Sequence, residues 1–87
     1  MLTVAYSYEE LALRRHNQFR AIHNAQAMTL NSHMNQQAAS YARRIARRGS
    51  LQHSSSSERP GQGENLAMAC STNGLSAEEA VDNWYTY

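Results

Sequence analysis

The segment between Leu51 and Ala67 constrains the fold more than any other part of this sequence. It contains four consecutive serines, one proline and two glycines. It has no periodicity, so neither a helix nor a regular strand fits it. His53 and Glu64 stand eleven residues apart within it. We expect this loop to fold back and to bring the imidazole and the carboxylate into one cleft; the alternative is a plain surface turn.

Capping boxes predict the start of two helices. In each box a serine is followed three residues later by a glutamate, and each side chain can bond the backbone N–H of the other residue. The boxes are Ser7 with Glu10 and Ser76 with Glu79, and they predict helices over about residues 8–24 and 77–86. Each helix has one face with helical spacing: Ala12, His16, Phe19 and His23 in the first, and Ala77, Ala80, Val81 and Trp84 in the last.

A further helix is predicted over about residues 32–48, between the other two. Asn31 is a good N-cap, and Gly49 is well placed to end the helix in a left-handed conformation. Five residues follow the spacing of a buried stripe: Met34, Ala38, Tyr41, Ala42 and Ile45.

A short strand is favoured after the loop, because Leu66, Met68 and Cys70 alternate with other residues. Alanine, leucine and methionine also suit a helix, so that alternative stays open. A single strand is not stable without a partner. We therefore expect a mostly helical chain of three helices with at most one short strand. The lone cysteine permits no intrachain disulfide and is most simply a small buried residue.

The arginines are distributed unevenly along the chain. Residues 11–57 hold seven of the eight arginines and no Asp or Glu, and the chain has no lysine. Such a basic stretch can attract anionic lipid or nucleic acid, although the arginines could simply solvate outer helix faces. Four of them occupy the final turns of the second helix, where the helix dipole favours cations: Arg43, Arg44, Arg47 and Arg48.

Four motifs in sequence resemble the CAP superfamily, or SCP domain, which comprises the cysteine-rich secretory, antigen 5 and pathogenesis-related 1 proteins. The motifs are His16-Asn-Gln-Phe-Arg-Ala-Ile-His23, Leu51-Gln-His-Ser54, Gly63-Glu-Asn-Leu-Ala67 and Ala80-Val-Asp-Asn-Trp-Tyr85. The serine-rich loop and the near absence of cysteine look most like the Golgi-associated pathogenesis-related branch of that superfamily.

The resemblance implies an α+β fold, an α-β-α sandwich whose central cleft carries two histidines and two acids. By resemblance, His53 and Glu64 are the first histidine and the first acid. The position of the second acid holds Tyr87, and the segment that carries the second histidine is absent. Residues 1–87 are therefore expected to be a truncated, partial CAP/SCP domain, a little over half of the complete one.

The resemblance also limits the expected chemistry. Complete members can bind zinc through the two histidines, and zinc needs three or four protein ligands. His53 alone would give a weak, incomplete metal site, so we expect no cofactor, no catalytic residue and no enzymatic activity. We interpret His16 and His23 as structural, because seven residues is too long a separation for one ion. Ser54–Ser57 are interpreted as a flexible polar loop.

These features favour a non-catalytic CAP protein associated with lipid or membrane. Its expected partners are anionic lipid or sterol, with the headgroups bound by Arg43, Arg44, Arg47 and Arg48, and a homo-oligomer is expected from exposed apolar helix faces. The expected location is the Golgi or another membrane periphery; the alternative is extracellular. A metal-dependent hydrolase-like CAP protein is the alternative function. A nucleic-acid binder is disfavoured, because no basic patch interleaved with aromatic residues is present.

Overall fold

The computed structural model describes residues 5–69 and 72–86 of the chain. These residues form three α-helices, α1 (Tyr8–Ile22), α2 (Ser32–Arg48) and α3 (Ala77–Thr86), and a short 3₁₀ helix at Ser56–Glu58. The prediction of a mostly helical chain with three helices is confirmed. No helix within the described ranges is both long and apolar enough to cross a membrane.

The described residues form two compact units. The first unit contains α1 and α3, and its described residues are 5–30, 69 and 72–86. The second unit, Asn31–Met68, contains α2, the 3₁₀ helix and the long irregular loop.

The ends of α1 follow directly from its sequence. At its start, Ser7 Oγ accepts from the backbone N–H of Glu10 and the Glu10 carboxylate accepts from the backbone N–H of Ser7, as the capping box requires. The helix ends at Ile22, two residues earlier than predicted. Asn24 adopts a left-handed conformation there (φ 57°), and the N–H groups of Asn24 and Ala25 donate back to the carbonyls of Ala21 and Arg20. This arrangement is a Schellman motif, and asparagine tolerates its left-handed position.

Packing between α1 and α3 forms the core of the first unit. Ala77, Ala80 and Val81 of α3 are buried. The rings of Phe19 and Tyr85 stack with centroids 3.9 Å apart, at an angle of 6°. The two predicted helix faces therefore meet.

A capping box and an ion pair fix α3 further. The backbone N–H of Glu79 donates to Ser76 Oγ, and the backbone N–H of Ser76 donates to the Glu79 carboxylate. Arg15 of α1 forms a two-point ion pair with Asp82: Nε lies 3.0 Å from Oδ1 outside hydrogen-bond geometry, and Nη2 donates to Oδ2 at 3.3 Å.

In the second unit, α2 has the predicted caps but not the predicted buried stripe. Asn31 accepts from the backbone N–H of Met34, and Gly49 ends the helix at φ 72°. Of the five stripe residues only Ile45 is buried, Tyr41 is half-buried, and Met34, Ala38 and Ala42 are exposed. Helical spacing predicts a face but not what covers it. The loop meets α2 through polar contacts, with Tyr41 Oη donating to the Gln52 carbonyl and Gln62 donating to the Gln37 side chain.

No strand occurs in the ranges 5–69 and 72–86, so the favoured strand does not form at Leu66 and Met68. A strand needs a second strand to bond its backbone, and the described residues provide none. Cys70 lies outside the described residues, and so does Tyr87.

Candidate functional site

A tight turn reverses the loop of the second unit. The backbone N–H of Gln62 donates to the Arg59 carbonyl at 3.0 Å, which closes a four-residue turn. Pro60 occupies its second position, and Gly61 takes φ 72° at its third. This sequence is typical of a type II turn, which needs a residue of positive φ at that place. The turn sends the chain back toward the serines and places Glu64 beside them.

The 3₁₀ helix attaches the other arm of the loop to α2. Ser55 and Glu58 form a capping box around it. Glu58 also accepts from Arg44 Nη1 at 3.0 Å. The Arg44 guanidinium lies 5.2 Å from the centre of the Tyr41 ring, within cation–π range.

The loop brings together the two predicted cleft residues, His53 and Glu64. His53 Nδ1 lies 2.8 Å from Glu64 Oε1. The same oxygen accepts from the backbone N–H of Ser54 at 2.9 Å, and Oε2 accepts from the Ser54 hydroxyl at 2.6 Å. The carboxylate is thus surrounded by three donors from two adjacent residues. The meeting of His53 and Glu64 is observed, whereas their role in a cleft stays a prediction.

Arg59 completes the cluster, and the sequence interpretation missed it. Its Nε donates to Ser54 Oγ at 3.1 Å and lies 3.8 Å from Glu64 Oε1. Its terminal nitrogens donate to the backbone carbonyls of Gln62 and Ser54 at 3.0 and 3.4 Å. The available signal was its position: Arg59 is the only arginine outside residues 11–57 and directly precedes the proline of the turn.

Ser54 also departs from the predicted flexible polar loop, because it is buried with only 9% of its surface exposed. Its hydroxyl donates to Glu64 and accepts from Arg59. Ser55, Ser56 and Ser57 are exposed as expected for a polar loop. A buried polar group must be hydrogen-bonded, and the cluster satisfies the Ser54 hydroxyl.

The cluster favours the ionised form of Glu64. Its side chain is 16% exposed, and that burial alone would raise the pKa of Glu64. The hydrogen bonds from the Ser54 hydroxyl, His53 and the Ser54 N–H, with the charge of Arg59, outweigh burial and lower the pKa below its ordinary value. A carboxylate in this state is unsuited to the role of general acid near pH 7.

His53 presents a different environment, with 62% of its side chain exposed. When Nδ1 donates to a carboxylate, the other ring nitrogen Nε2 carries the lone pair and can accept a proton or bind a metal. In the described ranges, however, no three side chains among His, Cys, Asp and Glu converge. The described residues therefore fit a single metal ligand and not a zinc site of three or four ligands.

His16 and His23 of α1 bond within the first unit and do not form a site together. His16 Nδ1 lies 2.8 Å from the Ala12 carbonyl, and its ring is tilted against Trp84 at 6.2 Å. His23 Nε2 lies 2.7 Å from Tyr85 Oη.

The arginines of the two units differ in whether they contact other side chains or carbonyls. In α1, Arg15 pairs with Asp82, Arg20 Nε donates to the Gln26 carbonyl, and Arg14 lies 4.5 Å from the centre of the Tyr6 ring. In the final turns of α2, Arg44 is engaged by Glu58. Arg43, Arg47 and Arg48 are exposed, and none of the three forms a hydrogen bond or close ion pair with another described residue.

The match to a known protein family includes the residues of the cluster around Glu64. The model of the cysteine-rich secretory protein family, CAP, matches residues 13–87. The chain belongs to the CAP family. It is also 34% identical over 74 residues to the human protein named Golgi-associated plant pathogenesis-related protein 1.

That match covers 85% of this chain and 47% of the human protein. This CAP chain thus spans about half the length of the curated relative it matches. No solved structure gives a significant match.

Proposed function

We propose that this CAP chain is a non-catalytic module that binds anionic lipid at a membrane surface through the last turns of α2. The observation that carries the proposal is the state of Arg43, Arg47 and Arg48, which are exposed and make no hydrogen bond or close ion pair with other described residues. The charge of Arg48 helps to lower the pKa of Glu58. Exposed guanidinium groups without a hydrogen-bond partner can bind phosphate oxygens in two-point geometry.

The electrostatic attraction by itself supports only weak, reversible binding. A basic residue near an anionic membrane surface contributes about 1 kcal/mol, so these three arginines would contribute about 3 kcal/mol. Arg44 would add less, because Glu58 already neutralises it. Leu51 comes three residues after Arg48 and is 45% exposed. It provides an apolar side chain that could enter the headgroup region. A sterol is the alternative lipid, and an apolar ligand of that kind would not require the arginines.

We also propose that the chain is not catalytic, and the hydrogen bonds that Glu64 accepts support this. Its oxygens accept bonds from Ser54 and His53, so the carboxylate is occupied in holding the loop. The Ser54 hydroxyl is buried between Glu64 and Arg59, where a substrate could not reach it without opening the loop. We accordingly propose no catalytic residue and no resident cofactor.

We further propose the Golgi or another membrane periphery as the location. The name of the human relative supports this choice, since that protein is called Golgi-associated. An extracellular location is the alternative.

Vesicle co-sedimentation tests the proposal. We expect the chain to pellet with phosphatidylcholine vesicles that contain phosphatidylserine and to remain in solution with phosphatidylcholine alone. The triple variant Arg43→Gln, Arg47→Gln, Arg48→Gln should bind about 100-fold more weakly, from three lost contributions. Equal binding to both kinds of vesicle would contradict the electrostatic mechanism.

A matched pair of single variants shows whether vesicle binding depends on the last turns of α2 or only on the net charge of the chain. Arg47→Gln and Arg14→Gln remove the same charge, but Arg14 lies on α1 against Tyr6. We expect only Arg47→Gln to weaken vesicle binding. Binding to duplex DNA with a steep dependence on salt would instead favour a nucleic-acid partner.

A metal-dependent, hydrolase-like function is the second candidate, and the pairing of His53 Nδ1 with Glu64 favours it. Metal-binding histidines commonly have such a carboxylate partner. Zinc titration by calorimetry tests it, with His53→Ala compared with His33→Ala, which removes another exposed histidine of the same unit. Sub-micromolar binding that only His53→Ala abolishes would support this candidate.

A further inference from the structure

We infer that Ser50 is a phosphorylation site for a protein kinase that selects basic substrates. Ser50 is preceded by Arg47 and Arg48 at the third and second positions before it, and Leu51 follows it. A kinase with an acidic substrate groove recognises guanidinium groups at such fixed offsets from the acceptor hydroxyl, since each forms charge-assisted bonds to carboxylates. No other serine or threonine of the sequence has arginine at both of these offsets.

Ser50 itself is half-buried, and the residues around it are accessible. Gly49 ends α2 in a left-handed conformation, and residues 51–55 have no regular secondary structure. Arg47, Arg48 and Leu51 are exposed. The Ser50 hydroxyl makes no hydrogen bond with any other residue that the structure describes, so a phosphoryl group would replace no internal bond there.

The two arginines lie in the last turn of α2, and a kinase would bind them in an extended conformation. The last carbonyls of a helix have no partner within the helix, and helix ends fray readily. Opening this turn therefore breaks few bonds. Glycine at the boundary allows the chain to change direction at low steric cost.

The chemical step is a phosphoryl transfer with a nucleoside triphosphate as co-substrate. The Ser50 oxygen attacks the γ-phosphorus, the bond from that phosphorus to the bridging oxygen of the β-phosphate breaks, and the nucleoside diphosphate leaves with the electron pair. A carboxylate of the kinase accepts the hydroxyl proton.

Phosphorylation of Ser50 would change the charge beside the arginines in the final turns of α2. A phosphoserine carries a charge of about −1.5 to −2 at neutral pH. It would stand two residues from Arg48, where it could pair with the same guanidinium groups that the proposed function assigns to lipid. This consequence, unlike the site itself, rests on the proposed function. More than half of the charge of the three unpaired arginines would be cancelled, which corresponds to roughly 10- to 30-fold weaker binding to anionic vesicles.

The test of the site uses the whole chain with magnesium ATP and the catalytic subunit of cyclic-AMP-dependent protein kinase as the probe. We expect one phosphoryl group, located on Ser50 by fragment mass spectrometry, and none on the Ser50→Ala variant. The exposed residues Ser55, Ser56 and Ser57 serve as comparators within the same loop. No incorporation, or incorporation mainly on those three, would overturn the inference.

Paired variants test the recognition. Arg47→Gln with Arg48→Gln should lower kcat/KM of phosphorylation by roughly 10- to 100-fold, since each lost charge-assisted bond is worth about tenfold. Arg14→Gln with Arg20→Gln removes the same charge from α1 and should leave the rate unchanged. Equal losses in both pairs would overturn the assignment, provided that circular dichroism shows the same helix content in all variants.

A vesicle measurement distinguishes the two proposals. If phosphorylated and unmodified chains both fail to bind anionic vesicles, the lipid proposal fails and the site on Ser50 stands. If the unmodified chain binds and Ser50 accepts no phosphate, only the phosphorylation inference fails. Vesicle binding that Ser50 phosphorylation leaves unchanged would overturn the predicted effect on the arginine cluster.

Discussion

Glu64 binds both hydrogen-bond donors of Ser54, because one carboxylate oxygen accepts from its backbone N–H at 2.9 Å and the other accepts from its hydroxyl at 2.6 Å. This double contact holds together two residues that are ten positions apart in the sequence. Since residues 59–63 contain a turn and no regular secondary structure, side-chain bonds hold the loop together where a sheet or helix ladder would otherwise do so. Glu64 is thus first a residue that organises the loop, and it positions His53 as a consequence.

Substitution of Glu64 by glutamine should loosen this loop locally. Glutamine has a similar shape but carries no charge, and hydrogen bonds to a charged group contribute about 1.5–3 kcal/mol. We expect the backbone N–H of Ser54 to exchange with solvent roughly 10- to 100-fold faster in the variant. Amide hydrogen exchange measured by NMR reports this directly.

Glu58→Gln is the matched control for that experiment. Glu58 also accepts from a serine N–H and from an arginine, but its side chain is 44% exposed. Exposed pairs contribute only about 0–1 kcal/mol, so Ser54 exchange should hardly change. Equal effects from both substitutions would show that Glu64 has no special role.

The loop should also respond to acid. The pKa of Glu64 is lowered in the folded chain, so ionised Glu64 favours the folded loop at pH values above its ordinary pKa of about 4.5. This stabilisation should be lost as the pH falls below 4.5 and passes through the folded pKa. Carbon-13 shifts of the Glu64 carboxyl, followed with Ser54 amide exchange, would measure it. A midpoint above the ordinary value would contradict the hydrogen-bonding account.

The first unit should depend more on apolar packing than on its ion pair. Val81 is 2% exposed, and Val81→Ala should lower the free energy of unfolding by about 2 kcal/mol from lost burial and the remaining cavity. Arg15→Gln should cost only about 0–1 kcal/mol, since the side chains of Arg15 and Asp82 are 35% and 43% exposed to solvent. Urea unfolding followed by the fluorescence of Trp84, the only tryptophan, reports on this unit. The reverse order of effects would contradict this view.

The local features of the fold could be predicted from sequence because they depend on neighbouring residues. Ser7 with Glu10, Asn31 and Gly49 act within one turn of chain, and each makes the expected cap. The apolar faces of α1 and α3 were predictable from the spacing in each helix, but their pairing was not, because spacing does not indicate what covers a face. The burial of α2 was not predictable, because it depends on what lies against Met34 and Ala38 and not on their spacing.

The candidate site was predictable only in part. The proximity of His53 and Glu64 follows from a loop that must turn and from the resemblance to the CAP family. The contribution of Arg59 was not foreseen, because three of its nitrogens bond to groups several residues away in the folded loop. Such contacts depend on the turn geometry at Pro60 and Gly61, which composition alone does not determine.

Tyr8 should ionise at a higher pH than a free tyrosine. Burial raises the pKa of Tyr8, and the negative charges of Glu78 and Glu79 raise it further. Its hydroxyl donates to the Leu75 carbonyl. The folded state should therefore be unaffected below the ordinary pKa of about 10 and lose stability as the pH rises above it. Ultraviolet titration of the wild type against Tyr8→Phe isolates this group, and Glu78→Gln should lower its midpoint.

The exposed stripe of α2 should cause self-association of the chain. Met34 is 42% exposed, and Ala38 and Ala42 on the same stripe are exposed as well. Apolar surface on a helix face favours association between copies. We expect sedimentation velocity to show a sedimentation coefficient that rises with concentration, and Met34→Glu to reduce that rise. His33→Glu adds the same charge one position away, in the same first turn, and should have little effect. A monomer at all concentrations would contradict this expectation, and so would an equal response to the two substitutions.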